Sequence, residues 1–523
     1  MANSTLQFLL NDEIVALENF DPNLTVLQYL RTIEHKMGTK EGCASGDCGA
    51  CTVVIAQLAK SEADITKAER STDKLTYQSI NACITFIGQL QGKQLITVEH
   101  LKSNNKLHSV QKNMVDHHAS QCGFCTPGFV MSAFALHKNK KNPDREDVLE
   151  ALAGNLCRCT GYRSIIDAAI DESNQCDNDT FAQNYQQTLE QLLSMNSSAS
   201  LLINYNNKSY YAPKSSDELS DYLLINPQAT LVSGGTDLAL MVTQQLTPIN
   251  ELVYLGAVKE LTTLHMDDEF IRIGAAMPYH KFIHILKNEY SDLGDMIERI
   301  GSLQIRNNGT LGGNIGNASP IGDMPPALIA LGCTMELQCG DKIRNVCIED
   351  YFIDYKKTIL APSEFIKSIN IPKNLAKKAP NKFNKIDENG DSALKIYKIS
   401  KRIDDDISAV LAAFYIELKN NRVTKIRIAF GGMAAIAKRA LSCEQALLNQ
   451  AFITENIEQA KLALLNDFQP MSDVRASDRY RMKVAQNLLE KCFIELTQTS
   501  NYSSAEKNVT SYQPIETRVI NHA

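Results

Sequence analysis

The stretch Gln121-Cys122-Gly123-Phe124-Cys125-Thr126-Pro127-Gly128 carries a Cys-x2-Cys pair, and Asn155-Leu156-Cys157-Arg158-Cys159-Thr160-Gly161-Tyr162 carries a Cys-x-Cys pair after a gap of 31 residues. Four thiolates in two tight pairs close round one metal centre. Each pair borders an apolar helical run, so the ligands hang on helix ends, where free backbone N–H groups point at a negatively charged cluster.

A second set lies upstream: Cys43-x4-Cys48-x2-Cys51, then Cys83. This is the spacing of a plant-type ferredoxin [2Fe–2S] centre. Gly46 and Gly49 thread the loop and let successive N–H groups approach the cluster sulfurs. Residues 5–10 and 12–18 read as a hairpin, Thr25 as a helix N-cap, and residues 52–56 as a strand. Strands, one helix and a cysteine loop within residues 1–100 make a β-grasp, ferredoxin-like unit. One Cys-x2-Cys alone also suits zinc or redox-active thiols. Two sets of four, one threaded by glycines, favour iron–sulfur clusters over a zinc-stabilised scaffold.

The chain has 523 residues, enough for three or four domains. Its formal charge of −7 argues against a nucleic-acid surface, which needs concentrated Lys and Arg. No run of 18 apolar residues occurs, so no transmembrane helix and no membrane partner are expected. Met1-Ala2-Asn3-Ser4-Thr5 does not read as a secretory signal. Cys176, Cys333, Cys339, Cys347, Cys443 and Cys492 fall outside the ligand sets and read as reduced, small buried side chains, in keeping with a cytoplasmic location.

Residues 101–172 turn helical. Residues 129–136 form an apolar helix after Pro127-Gly128, a second helix follows Asp144 as cap, and a third starts at Ser164; the simplest arrangement is a small four-helix unit. Arg158 either offsets cluster charge or makes a surface ion pair. Residues 173–209, rich in Ser and Asn with a short helical stretch ahead of Ser194, read as a mobile linker. In residues 210–375 two glycine-rich loops stand out: Ser233-Gly234-Gly235-Thr236-Asp237 after a strand, and residues 301–323 with Thr310, Gly313, Asn314, Asn317, Ser319 and Asp323. Neither is a Gly-x-Gly-x-x-Gly fingerprint at a strand–helix junction, nor a P-loop. They read as two lips offering N–H groups, Thr and Asn to a diphosphate, with Asp323 for a ribityl or ribose hydroxyl, or else as two tight turns. Beside two iron–sulfur centres a flavin is the better reading. After a polar boundary at residues 374–391, three strands and three helices make an α+β unit over residues 392–495, followed by a polar tail at 496–523. Lys398, Lys401 and Arg402 either face flavin phosphates or are solvated charge.

These motifs resemble the molybdenum hydroxylases, and within them most the small iron–sulfur/FAD subunit of the bacterial xanthine dehydrogenase branch. The likeness rests on residues 41–51, 121–128, 154–162 and 311–320 and covers residues 1–495. It implies a multidomain α+β chain: a ferredoxin domain with its cluster on Cys43, Cys48, Cys51 and Cys83, a helical domain with a second on Cys122, Cys125, Cys157 and Cys159, a two-part FAD-binding domain, and a C-terminal flavoprotein domain. It places Lys398 near the flavin and Gln121 against the molybdopterin of a partner. Gly-Gly-Thr-Asp at residues 234–237 departs from the family, which often has Asn and Glu there.

The molybdenum domain of the longer relatives is missing, so the resemblance implies a second, molybdopterin-containing large subunit, in a heterotetramer made of two heterodimers. Substrate chemistry, hypoxanthine to xanthine to urate, would occur there. Electrons would run through the helical-domain cluster, the ferredoxin-like cluster and FAD to NAD+, since flavin bridges one-electron and hydride chemistry. The alternatives are the equivalent subunit of an aldehyde or other N-heterocycle hydroxylase, and a stand-alone iron–sulfur flavoprotein reductase.

Overall fold

The computed structural model describes residues 2–59, 75–171, 174, 176, 178–373 and 391–501. Residues 374–390 of the expected polar boundary and 502–523 of the expected tail lie outside them.

β1 (Leu6–Leu10) and β2 (Glu13–Leu17) form the expected hairpin, turned by Asn11 at φ 58°, a left-handed conformation that Asn tolerates. α1 (Val26–Gln28) runs into a π-helical turn ending at Ile33. Thr25 and Gln28 cap it reciprocally, stabilising it by about 1 kcal/mol. β3 (Thr52–Leu58), β4 (Leu75–Asn81) and β5 (Gln94–Ile96) complete a five-stranded sheet in the order β2-β1-β5-β3-β4. The alternation of β1 sends Leu6, Phe8 and Leu10 into one core and Leu9 into another, so the sheet is covered on both faces.

The second face packs on the helical unit: α2 (Ser109–Asp116), α3 (Thr126–Asn139), α4 (Arg145–Leu152) and α5 (Arg163–Ile170). Pro127 sits in the first turn of α3, where its missing N–H costs nothing. Asp144 caps α4, accepting from Asp147 N at 2.9 Å. The stretch expected as a mobile linker is built differently. α6 (Thr180–Gln183) and α7 (Tyr185–Met195) lay Phe181, Leu189, Leu192 and Met195 into the same core, because those apolar residues recur at helical spacing behind the polar ones.

β6 (Leu201–Tyr205) and β7 (Lys208–Ala212) already belong to the next lobe. With α8 (Ser216–Ile225), β8 (Thr230–Val232), α9 (Ala239–Thr243) and β9 (Glu251–Tyr254) they make a sheet in the order β6-β7-β9-β8. This lobe shares one core with the ferredoxin-like unit: Ile203, Tyr210, Val232 and Leu252 pack with Phe8, Phe86 and Ile87. Asn3 pairs its backbone with Ser200 and Leu202, and Asn23 exchanges two bonds with Ile249 at 2.7 and 2.8 Å.

The second lobe carries β10 (Leu264–Met266) and β11 (Phe270–Gly274), then α10 (Tyr279–Glu289), α11 (Ser291–Glu298), α12 (Leu303–Asn308), α13 (Leu311–Gly316) and α14 (Met324–Leu331). β12 (Thr334–Cys339), β13 (Lys342–Cys347), α15 (Ile348–Tyr351), the hairpin β14 (Phe352–Asp354) and β15 (Lys357–Thr358), and β16 (Phe365–Pro372) follow. Its sheet order is β10-β11-β16-β12-β13, all antiparallel. The C-terminal unit sets β17 (Asp391–Ile399), β18 (Val410–Lys419), β19 (Arg422–Gly431) and β20 (Lys438–Arg439) in sequential order. α16 (Leu441–Leu447), α17 (Thr454–Asp467) and α18 (Asp478–Asn501) pack on it. Ile396, Leu411, Ala413 and Ala429 reach back into the second lobe's core. The architecture is thus multidomain α+β. Among the described residues no helix is long and apolar enough to cross a membrane.

Candidate cluster and flavin sites

The loop between α1 and β3 brings Cys43, Cys48 and Cys51 to the turn that holds Cys83. Cys51 Sγ lies 3.3 Å from Cys83 Sγ, and Ser45 N and Asp47 N donate to Cys43 Sγ at 3.4 and 3.3 Å. Hydrogen bonds from Cys48 and Cys83 hold the Cys43 thiol far below its ordinary value, while the same contacts and burial push Cys48 and Cys83 far above theirs. Thiols crowded in this way share protons, and a metal replaces those protons when it binds. Asn81 Nδ2 pins the loop by donating to Gly46 O.

In the helical unit Cys122 lies against Cys159, and Cys125 against Cys157. Burial, then Cys157, pushes Cys125 up to about 12. Burial also works to raise Cys157, but the Thr160 hydroxyl, 3.2 Å from its Sγ, and local N–H groups outweigh it and lower the value. Cys157 N donates to the Tyr162 hydroxyl at 3.0 Å. The two sequence pairs meet crosswise, with Cys122, Cys159 and Gln121 exposed at the outer edge and Phe124 and Leu156 beside them. All eight thiols are free, and their donor chemistry suits iron.

The two thiol groups adjoin. Leu156 N, next to Cys157, donates to Cys48 O at 3.0 Å, and Asn155 Nδ2 donates to Gly49 O at 3.0 Å. Gly49 sits at φ 66°, and a Cβ there would strike the Gly154 carbonyl, so only glycine allows this approach. Asn155 was legible only as part of a cysteine motif; its role as the tie between the two loops depends on a partner more than 100 residues away.

The two glycine-rich stretches also meet. Gly234 packs so tightly on Asn308 that a Cβ would run into its carbonyl oxygen. Ser233 and Gly234 of the first lobe and Thr310, His280, Asn307 and Asn308 of the second border a cleft of about 660 Å³, with Gln78 and Gln89 from the ferredoxin-like unit. Burial pushes the His280 imidazole down to about 3, so it is neutral there. Ser233 Oγ and Asn314 Oδ1 are buried without a protein partner. An unpaired buried oxygen costs about 1–3 kcal/mol, so both are set to receive a polar ligand. A flavin dinucleotide, with its hydroxyls and diphosphate, fits that need.

Thr310 uses its hydroxyl to cap α13, accepting from Gly313 N at 3.1 Å. Asn317 and Ser319 continue the second lip, partly buried. Thr236 is partly buried in the first lip and Asp237 is exposed. Asp323 and Lys398 form a buried ion pair, Nζ to Oδ2 2.7 Å, completed by the Ser408 hydroxyl on Oδ1 and by Lys398 Nζ to Arg299 O at 2.8 Å. Lys401 and Arg402 are exposed, Lys401 on Val474 O and Arg402 on Asp406. Of the three cations only Lys398 is built into the interior. A further grouping of His108, Cys176 and Asp179 is already filled by the Lys138 ammonium, 3.1 Å from Asp179.

The first lip touches the ferredoxin-like turn. Gln89 Nε2 donates to Ser233 O at 3.1 Å, and the carbonyl of Ile84, the residue after Cys83, faces Gly235.

Comparison with known families matches every unit. Residues 10–88 match a 2Fe-2S iron-sulfur cluster binding domain and residues 97–170 a [2Fe-2S] binding domain. Residues 204–374 match the FAD binding domain in molybdopterin dehydrogenase, and residues 395–496 the CO dehydrogenase flavoprotein C-terminal domain. The xanthine dehydrogenase of Emericella nidulans is 32% identical over 529 residues, covering 89% of this chain and 36% of that protein. That of Drosophila subobscura is 30% identical, covering 95% and 39%. The chain thus spans well under half the length of these relatives, which are eukaryotic rather than specifically bacterial. A solved carbon monoxide dehydrogenase from Hydrogenophaga pseudoflava shares the fold over 56% of this chain and 99% of that chain, at a TM-score of 0.51 and 24% identity. The chain is an iron–sulfur and FAD flavoprotein of the molybdopterin oxidoreductase family, related to xanthine dehydrogenase.

Proposed function

We propose that the chain is the electron-relay subunit of a xanthine dehydrogenase, passing electrons from a molybdopterin-bearing partner to NAD+ while hypoxanthine and xanthine are hydroxylated. The observation that carries this reading is the serial contact of its sites. The helical-unit cysteine loop touches the ferredoxin-like loop through the backbone bond from Leu156 N to Cys48 O at 3.0 Å, and the turn carrying Cys83 abuts the first flavin lip. Bound there, the clusters supply one-electron transfer and the flavin supplies the conversion to hydride. Cys43, Cys48, Cys51 and Cys83 would ligate one cluster, and Cys122, Cys125, Cys157 and Cys159 the other. Ser233 and Asn314 would hold the flavin with their unpaired oxygens, and Thr310 with its backbone. The exposed edge at Gln121, Cys122 and Cys159 suits entry of electrons from a large subunit, in a dimer of heterodimers working in a reducing cytoplasm, as a bacterial small subunit would.

The test is co-purification with native partners, followed by xanthine-dependent NAD+ reduction and quantification of molybdenum, iron and FAD. Turnover with molybdenum in a second chain supports the reading. Full cofactors without xanthine turnover would move the substrate to aldehydes or other heterocycles. Absence of any second chain from a fully loaded sample would leave a stand-alone reductase.

A further inference from the structure

α12 lies between the three redox units, and nearly every polar side chain on it crosses a boundary. Gln304 is fully buried. Its Nε2 lies 3.1 Å from Asn155 Oδ1, 3.1 Å from Ser132 Oγ and 3.3 Å from Thr52 Oγ1. Ser132 and Asn155 belong to the helical unit, Asn155 two residues before Cys157. Thr52 follows Cys51. The hydroxyl protons are already committed: Ser132 donates to Asn155 Oδ1 at 2.7 Å, and Thr52 to Gly49 O at 2.7 Å. Only a donor fits at position 304, and a carboxylate there would face three acceptors. Further along the helix, Arg306 pairs with Glu150 at 3.0 Å, Asn307 Nδ2 donates to Ser79 O at 2.8 Å, and Asn308 Nδ2 to Thr85 Oγ1 at 3.1 Å. The helix ends at Asn308, whose carbonyl packs on Gly234 of the first flavin lip. One short rigid element therefore runs from the helical-unit cysteine loop, past the turn of Cys83, to the flavin lips.

We infer that Gln304 is a positioning residue for electron transfer. Its amide fixes the flavin-binding lobe against both cysteine loops and so sets the separation of the ferredoxin-type centre from the flavin. The inference rests on the proposed relay. The Gln304 amide nitrogen is held by three acceptors, while its Oε1 has no partner among the described residues. The donor side alone ties the two cysteine loops to the flavin-binding lobe in one geometry, and electron transfer slows as the separation of the two centres grows.

The test uses the full chain purified with its clusters and flavin, comparing wild type with Gln304→Met, which keeps the volume and removes the donor. After flash photoreduction of the flavin with a deazaflavin, flavin and cluster absorbance are followed separately. Cofactor content, reduction potentials and the magnetic coupling of the two reduced clusters are measured on the same samples. Expected are full cofactor content, unchanged potentials and unchanged cluster–cluster coupling, since the Asn155–Gly49 bond remains. Flavin-to-cluster transfer should be severalfold slower than in the wild type. If Gln304→Met does not hold its cofactors, Ser132→Ala, which removes one acceptor from the far side, should show a smaller slowing of the same transfer. Wild-type rates in a fully loaded variant would overturn the inference, as would slowing accompanied by shifted potentials, which would mean altered driving force. A wild-type chain without flavin or clusters would overturn the relay and this inference together.

Discussion

Replacing Lys398 by Met removes the cation from a deeply buried ion pair and leaves its hydrocarbon stem in place. The side chains of Lys398 and Asp323 are 2% and 9% exposed, and the pair joins β17 to the start of α14. The lost Nζ–Oδ2 bond, 2.7 Å long, is charge-assisted and contributes about 1.5–3 kcal/mol. The carboxylate left behind keeps the Ser408 hydroxyl on its Oδ1, and an uncompensated buried charge brings the total to about 3–5 kcal/mol. Removing both charges, in Lys398→Met with Asp323→Asn, should cost less than Lys398→Met alone, because no orphan charge remains. A chain of several units does not unfold in one step, so the assay is native-state hydrogen exchange at β17 and β18, which reads the local opening free energy. Protection lost by the single variant and partly restored by the double is the expected pattern. A single variant within about 1 kcal/mol of wild type, or a double as costly as the summed singles, refutes the reasoning, since either means that water already reaches the pair.

Cys122→Ser should abolish the electron paramagnetic resonance signal of the helical-unit cluster and leave the ferredoxin-type signal; two intact signals would sink the ligand assignment. Gly234→Ala drives a methyl into the Asn308 carbonyl and should part the two lips, lowering flavin content in the purified chain by tenfold or more, about 1.4 kcal/mol, with full flavin as the contrary result. Asp405 is pushed up to about 6 by burial and by Asp47 across the loop. Its folded value stands above the ordinary aspartate range, so the carboxylate form is disfavoured and stability returns as pH falls through about 6. Asp405→Asn should therefore raise the local hydrogen-exchange protection of the neighbouring β17 and β18 at pH about 7.5, an advantage that shrinks to nothing by pH about 4; a pH-independent difference would contradict this.

The cysteine sets were legible because metal ligation demands a residue type at a spacing, and both are local facts. The caps at Thr25 and Asp144 and the hairpin at Asn11 were legible for the same reason. The docking of residues 180–195 was not: a short helical stretch shows there, but its polar composition hid that Leu189, Leu192 and Met195 fill a core formed from residues far upstream. The second glycine-rich stretch read as a loop, yet it begins with α12 and continues into α13. Six residues give too short a period to recognise, and the helix is held by bonds to Thr52, Ser79 and Thr85, more than 200 residues away. Asp323 and Lys398 were each singled out, but as ligands for a cofactor; that they neutralise one another is a property of the fold of two units and of no local pattern.

The shared core of the ferredoxin-like unit and the first flavin lobe limits what recombination can do with this chain. Its four units look like exchangeable cassettes in a fusion gene, each with its own family. Yet Asn3 lies on the strand edge at Leu201, Asn23 is clasped by Ile249, and Tyr210 fills space against Phe8 and Phe86. A ferredoxin borrowed from elsewhere would bring the cysteines without these complements and would leave an apolar face open to water. The first two hundred residues and the flavin lobe are thus expected to be inherited together, and grafts that respect the cysteine motifs while ignoring this seam should express as aggregates.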